Sequence, residues 1–290
     1  MWRQLPHTSG EERAHILLEL AQEAIYRSSG EEALALAEEA RSIYAAMGAT
    51  APTLARARAI EGVSSALKQL HREREAADLL QEAIELEHEG GFEFITDTLR
   101  TQGFYYCQAS EFDLGIASLL EAARIDELHG CDEFLAIDLY NAGCAYFDSG
   151  RHQQALETFL RAREIFRKRK DLAAVSRTDR FAAECFLATG DSLSALKYAG
   201  TALDIATLRH DAEIECKAML SQAKAHMLLN DLAEVSNSLR GAEYLASSST
   251  DWNLILEIQN EYRILAINEN RFSDADEIAA RIATIREILE

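Results

Sequence analysis

A column of short residues that recurs about every forty positions constrains this chain more than any other feature. Ala33, Ala76, Gly115, Ala155, Ala195, Val235 and Ala275 follow one another at gaps of 43, 39, 40, 40, 40 and 40. Two further columns keep step. One runs Ala40, Ala83, Ala122, Ala162, Ala202, Ala242 and then Ile282; the other runs Ala21, Ser64, Gly103, Gly143, Ala183, Ala223 and then Arg263. Alanine is common in any helix, but composition alone does not put three columns in register. A helix nests closely on its neighbour only where side chains are short, so the columns read as lines of helix contact. A Leu placed in the Ala162 column is expected to cost about 1–3 kcal/mol through overpacking. Only two prolines, Pro6 and Pro52, interrupt 290 residues rich in Ala, Leu and Glu, which are strong helix formers.

The most regular copy is Asn141 to Ala162, with Gly143, Tyr146, Gly150, Ala155, Phe159 and Ala162 as its landmarks. Its first half reads as a helix, Ser149-Gly150-Arg151 as a turn, and its second half as a helix. A turn this short makes the two helices antiparallel. Seven copies account for the chain, at 11–48, 53–91, 92–130, 132–170, 171–210, 211–249 and 251–290, after a short arm at 1–10. Between copies the chain turns at Gly48, Gly90-Gly91, His129-Gly130, Lys170-Asp171, His210-Asp211 and Thr250-Asp251. Asp171, Asp211 and Asp251 are predicted N-caps, whose carboxylates accept the orphan N–H bonds of a helix start. The expected fold is all-α, a single array of about seven antiparallel helix pairs.

The Gly143, Tyr146, Gly150, Ala155, Phe159, Ala162 series resembles the tetratricopeptide repeat, and the resemblance extends over about 11–290. It implies an α-solenoid, a right-handed superhelix whose first helices line a concave groove. The copies depart from the usual pattern in lacking a proline after the second helix, which therefore runs on, as from Ala155 to Lys168. The long period is similar to that of kinesin light chains, of polarity adaptors and of bacterial Rap-type peptide-sensing regulators. Rap-type proteins carry an extra N-terminal effector bundle, for which the short arm is expected to leave no room.

By that resemblance, ligands lie on the first-helix face. Transferring its columns gives Arg58, Lys68, Arg100, Phe104, Tyr140, Phe147, Arg177, Arg180, Leu187, Lys217, Lys224 and Met227 as candidate peptide-binding residues. Over all 35 transferred positions, seven are Lys or Arg and five are Asp or Glu, a net of +2; the rest of the chain has 22 basic and 44 acidic residues, a net of −22. Arg grips carboxylates bidentately. The expectation is a groove for an acidic peptide segment or a free C-terminal carboxylate, anchored at Arg177 and Arg180, with the aromatic and aliphatic positions taking partner side chains. The competing reading pairs the same bases with acids inside the array, such as Glu184 or Asp148. Cys107 and Cys144 also fall on the transferred face and read as small packing residues.

Other chemistry finds little support. The eight histidines are dispersed, and no HExxH, P-loop, GxSxG or paired-Cys motif occurs, so no catalytic residue, metal ligand or cofactor is expected. Five unpaired-looking cysteines read as thiols in a cytoplasmic protein. No apolar run approaches the ~20 residues of a membrane span, and the N-terminus lacks the apolar core of a signal peptide. A formal charge of −20 argues against direct nucleic-acid binding. Three functions follow: a non-catalytic scaffold for a peptide segment, a sensor whose output changes with a peptide or small ligand, and, least favoured, an acidic decoy mimicking nucleic acid. The only basic run, Arg167 to Lys170, reads as a solvated helix end. The last helix carries Ile278, Ile282, Ile285, Ile288 and Leu289, a stripe that would serve a homodimer.

Overall fold

The computed structural model of the chain describes residues 10–91, 95–247 and 251–289, the side chains of 288 and 289 excepted. The arm at 1–9, the junction residue Thr250 and the Ile288 and Leu289 side chains lie outside the described residues. Fourteen α-helices and no strand occur among the described residues. They form α1 (Gly10–Tyr26), α2 (Gly30–Met47), α3 (Thr53–Gln69), α4 (Glu73–Gly90), α5 (Ile95–Gln108), α6 (Phe112–His129), α7 (Asp132–Asp148), α8 (His152–Lys168), α9 (Leu172–Ala188), α10 (Ser192–Arg209), α11 (Ala212–Leu228), α12 (Leu232–Ala246), α13 (Trp252–Asn268) and α14 (Phe272–Leu289). The chain divides into two compact units, Met1–Ala145 and Tyr146–Glu290, with the boundary inside α7. Within each unit, successive helices pack on one another as pairs, and neighbouring pairs stack.

One backbone device makes every turn inside a pair. Ser28, His71, Ser110, Gly150, Gly190, Asn230 and Asn270 all have positive φ, between 57° and 76° except Gly190 at 83°. The residue after each of them donates its N–H to the carbonyl five positions back, for example Arg151 to Tyr146 and Asp231 to His226. This is the Schellman closure, which satisfies carbonyls left open at a helix end. The left-handed residue recurs with the same 43, 39, 40, 40, 40, 40 spacing as the short columns. Three junctions between pairs use the same closure. Gly130, Lys170 and His210 are left-handed, and Cys131, Asp171 and Asp211 donate to Asp126, Phe166 and Ala206. The first junction differs: a 3₁₀ turn, Gly48–Thr50, leads to Pro52, which precedes α3.

Asp171, Asp211 and Asp251 cap α9, α11 and α13 through their carboxylates, as the sequence suggests. Asp191 and Asp231 do the same for the second helices α10 and α12. Each of these two is therefore the closing residue of one helix and the cap of the next.

The short columns are where helices meet. Ala33, Ala76, Ala155, Ala195 and Val235 are fully buried, as are Ala40, Ala83, Ala122, Ala162, Ala202 and Ala242. Among the described glycines the tightest surroundings are between α5 and α6. A Cβ built on Gly103 would lie 2.7 Å from Leu119 Cγ and 2.9 Å from the Gly115 carbonyl oxygen. One built on Gly115 would lie 2.8 Å from the Gly103 carbonyl oxygen and closer still to Cys107 Sγ. Cys107 thus packs inside its helix pair, which agrees with its reading as a packing residue and removes it from the ligand face. In the last pair Ile282 is buried, Ile278 and Ile285 are half-buried, and Arg263 is exposed.

Candidate functional site

The basic residues of the first-helix face fall into two groups. Arg100, Lys217 and Lys224 are paired internally. Arg58, Lys68, Arg177 and Arg180 have no carboxylate partner among the described residues.

Arg100, on α5, illustrates the first group. It binds Asp138 of α7, Asp126 of α6 at 3.3 Å, and Asp97 one turn earlier on its own helix. Its guanidinium also lies 5.2 Å from the centre of the Phe134 ring. The Asp138 side chain is fully buried, and burial pushes its pKa up to about 7; Arg100 pulls it down while Asp126 pushes it further up. In the second unit Lys224 of α11 sits between α9 and α13, 3.7 Å from Glu184 and 2.6 Å from Glu257. Burial opposes the charge of this lysine, but the two glutamates outweigh it and raise the pKa. Ser221 donates to Glu184 at 2.6 Å, and Lys217 pairs with Glu213 one turn away. Here the internal-pairing reading holds, with Glu184 as its partner.

Arg177 and Arg180 stand three apart on α9, hence on one face. Arg177 is exposed. Arg180 is half-buried; its guanidinium lies 3.7 Å from the Phe181 ring centre, and its buried Nε has no hydrogen-bond partner. The repeat register explains the contrast with Arg100. Two repeats on from Arg100, Asp126 and Asp138 come Arg180, Ala206 and Ala218. The same column holds an arginine in both places, but the two carboxylates that neutralise Arg100 are replaced by alanines, both fully buried.

The apolar candidates also separate. Phe147 stacks edge-on against Phe181 and against His152, and Phe181 lies parallel to Phe159 at 5.2 Å, so Phe147 belongs to an aromatic row inside the second unit. Leu187 is half-buried on α9, and half-buried Met227 accepts a hydrogen bond from Asn268 at 3.0 Å. In the first unit Phe104 is 53% exposed, whereas Tyr140 is half-buried. Arg58 is exposed beside a cleft shared with Glu11, Glu12 and His15, and Lys68 is half-buried on the same helix. In the basic run, Arg167 pairs with Glu164 one turn earlier.

Buried carboxylates are what the sequence reading missed. Asp126, Asp138, Asp179 and Glu87 are 4% exposed or less. Asp179 is bound by Arg163 of α8, and burial raises its pKa. Their signal was present: Asp138 sits among Leu135, Leu139 and Ala142, on the apolar stripe of α7.

Among the described residues no helix is long and apolar enough to cross a membrane, and no His, Cys, Asp and Glu cluster is arranged to hold a metal ion. Residues 94–168 match the tetratricopeptide repeat model. No curated protein sequence matches the chain. Solved structures do. A signal-transduction ATPase with numerous domains and a tetratricopeptide repeat sensor, from Pyrococcus horikoshii, aligns at TM-score 0.75 and 14% identity, over 97% of this chain and 43% of that one. This chain therefore spans less than half of that protein. The apo quorum sensor NprR from B. thuringiensis aligns at TM-score 0.63 and 12% identity, over 98% of this chain and 91% of that one. A Rap protein complexed with Competence and Sporulation Factor aligns at 0.58 and 15%, over 95% and 76%. At these identities the likeness is one of fold.

Proposed function

Because the chain is built of tetratricopeptide-type repeats, we propose that it is a non-catalytic interaction scaffold that binds a peptide segment along its first helices. The partner's carboxylate, from an acidic side chain or a free C-terminus, is gripped by Arg177 and Arg180. One observation carries this reading. Arg180 occupies the column of Arg100, the columns of Asp126 and Asp138 hold Ala206 and Ala218, and the Arg180 Nε has no hydrogen-bond partner, so its N–H groups are offered to a ligand carboxylate while its face rests on Phe181. Leu187 on the same helix offers an apolar neighbour. The test is an array of peptides with acidic C-termini, each free and amidated. Binding should prefer the free carboxylate and fall about tenfold or more in Arg177→Glu/Arg180→Glu, since hydrogen bonds to charged groups contribute about 1.5–3 kcal/mol. Unchanged binding in a folded double variant refutes the anchor.

A second reading, a peptide-responsive sensor, draws support from two of the similar structures, one a quorum sensor and one complexed with Competence and Sporulation Factor. A sensor compacts or extends when its peptide binds, which small-angle scattering detects; a scaffold keeps its dimensions.

A further inference from the structure

The boundary between the first two repeats holds a cavity of about 370 Å³ among α2, α3 and α4. Glu38, Arg41 and Tyr44 of α2 line one side; Arg56 and Ile60 of α3, with Glu82 and Leu86 of α4, line the other. The repeat register accounts for the space. Arg56 stands in the column of Ile95, Leu135, Val175, Glu215 and Ile255, and Leu135 and Val175 are buried core. At Arg56 a cation takes the place of that packing. The boundary between α12 and α13 has a cavity in the same columns, with Glu243, Ala246, Ile255 and Gln259 where the first has Arg41, Tyr44, Arg56 and Ile60. That one is smaller, about 230 Å³, and no basic side chain lines it among the described residues.

Two charges on the wall of the larger cavity are left over. Arg41 binds Glu82 at 2.6 Å, which leaves one cation, Arg56, and one anion, Glu38. Among the described residues neither side chain makes a hydrogen bond or an ion pair, with the other or with any third group. Arg72, whose charge Glu38 feels, is held by Glu75 through two hydrogen bonds. Tyr44 adds an independent sign. It is 3% exposed, it lines the cavity, and its hydroxyl has no hydrogen-bond partner among the described residues. A hydroxyl left unpaired on a side chain this buried is costly. The wall therefore offers a guanidinium and a hydroxyl as donors, a carboxylate as acceptor, and Ile60 and Leu86 as apolar surface.

We propose that this cavity binds a small zwitterion, an ammonium and a carboxylate on one aliphatic frame, as in a free α-amino acid or a dipeptide. Arg56 and Tyr44 hold the carboxylate, Glu38 holds the ammonium, and Ile60 and Leu86 meet the aliphatic part. The volume lies at the low end of the roughly 300–1,000 Å³ of small-ligand pockets. The site is independent of the α9 arginines. Glu38 and Tyr44 precede the Gly48–Thr50 turn and Arg56 follows it, so the bound zwitterion ties α2 to α3 across that turn.

The experiment titrates the full chain with L-leucine and with L-leucyl-L-leucine, following the backbone amide signals of Tyr44 and Arg56. Saturable binding of one of them is expected, and the two arms tell an amino acid from a dipeptide. The N-acetylated form of the binding probe lacks the ammonium and its C-terminal amide lacks the carboxylate; each should bind about tenfold more weakly. Arg56→Gln and Glu38→Gln, each checked for native helicity, should each weaken the probe about tenfold, and Tyr44→Phe about 2- to 10-fold. Arg56→Leu restores the aliphatic residue of its column, so it should abolish binding while α3 keeps its protection from hydrogen exchange. The bound probe should slow exchange in both α2 and α3. The proposal is overturned if neither probe saturates, if either blocked form binds as well as the zwitterion, if either Gln variant keeps full affinity, or if Arg56→Leu binds unchanged.

Discussion

Glycine-to-alanine substitution should have opposite signs at two helical positions of this chain, one in the first turn of α6 and one in the middle of α10. In an unobstructed helix the change stabilises by roughly 0.5–1 kcal/mol, because Gly gives up more backbone entropy on folding. Gly200 on α10 is such a position, since the nearest atom to a built Cβ is Gln222 Nε2 at 3.9 Å. Gly115 is not. Its Cβ would meet Cys107 Sγ and, at 2.8 Å, the Gly103 carbonyl oxygen, and backbone cannot rotate away as a side-chain tip can. Overpacking costs about 1–3 kcal/mol, so Gly115→Ala should destabilise its helix pair by a net of about 0.5–2 kcal/mol. Native-state hydrogen exchange measures this locally, which matters because a repeat array need not unfold in one step. Amides of α5 and α6 should exchange about 2- to 30-fold faster in Gly115→Ala, and amides of α10 about 2- to 5-fold slower in Gly200→Ala. Adding Cys107→Ala to Gly115→Ala should recover only part of the loss, since the carbonyl contact remains. Slower exchange in Gly115→Ala, or equal responses at the two sites, would refute the reasoning that short columns exist for close helix approach.

Asp138 makes the first unit sensitive to pH. Its folded pKa of about 7 lies above the ordinary 3.8, so between those values the folded state binds more protons than the unfolded state. Its contribution is complete below about pH 4 and is lost as pH rises through 7, roughly 4 kcal/mol in all. Asp138→Asn should flatten that slope in the exchange of α5 and α6. Removing the cap with Asp231→Ala should cost about 1 kcal/mol and show first in α12. If the α14 stripe joins two copies, light scattering will give a dimer for the full chain and a monomer after truncation at Ser273; a monomeric full chain ends that idea.

The fold was legible because close helix approach demands short side chains, and short side chains recur visibly. Three N-caps were legible for a similar reason, since an Asp just before an apolar run has few other uses. The caps at Asp191 and Asp231 were hidden because each lies within a pair, at a turn that the same aspartate also closes through its own N–H. The candidate site was only half legible. Arg100 and Arg180 share a column, and one-dimensional alignment treats them alike. Their difference depends on a second helix and the next first helix, Asp126 and Asp138 against Ala206 and Ala218. Three columns have to be combined before a paired arginine can be told from an unpaired one.

The repeated closure at the helix ends bears on where the backbone is compliant. A left-handed residue followed by a bond five positions back ties each turn inside a pair, and it also ties the junctions at Gly130, Lys170 and His210. Such turns behave as fixed elbows. The Gly48–Pro52 junction is built differently: Gly48 donates to Ala45, Ala51 donates to Gly48, and no bond spans five positions. Elastic give between the first two repeats is therefore concentrated in about five residues, and a ligand that alters the pitch there has one place to push.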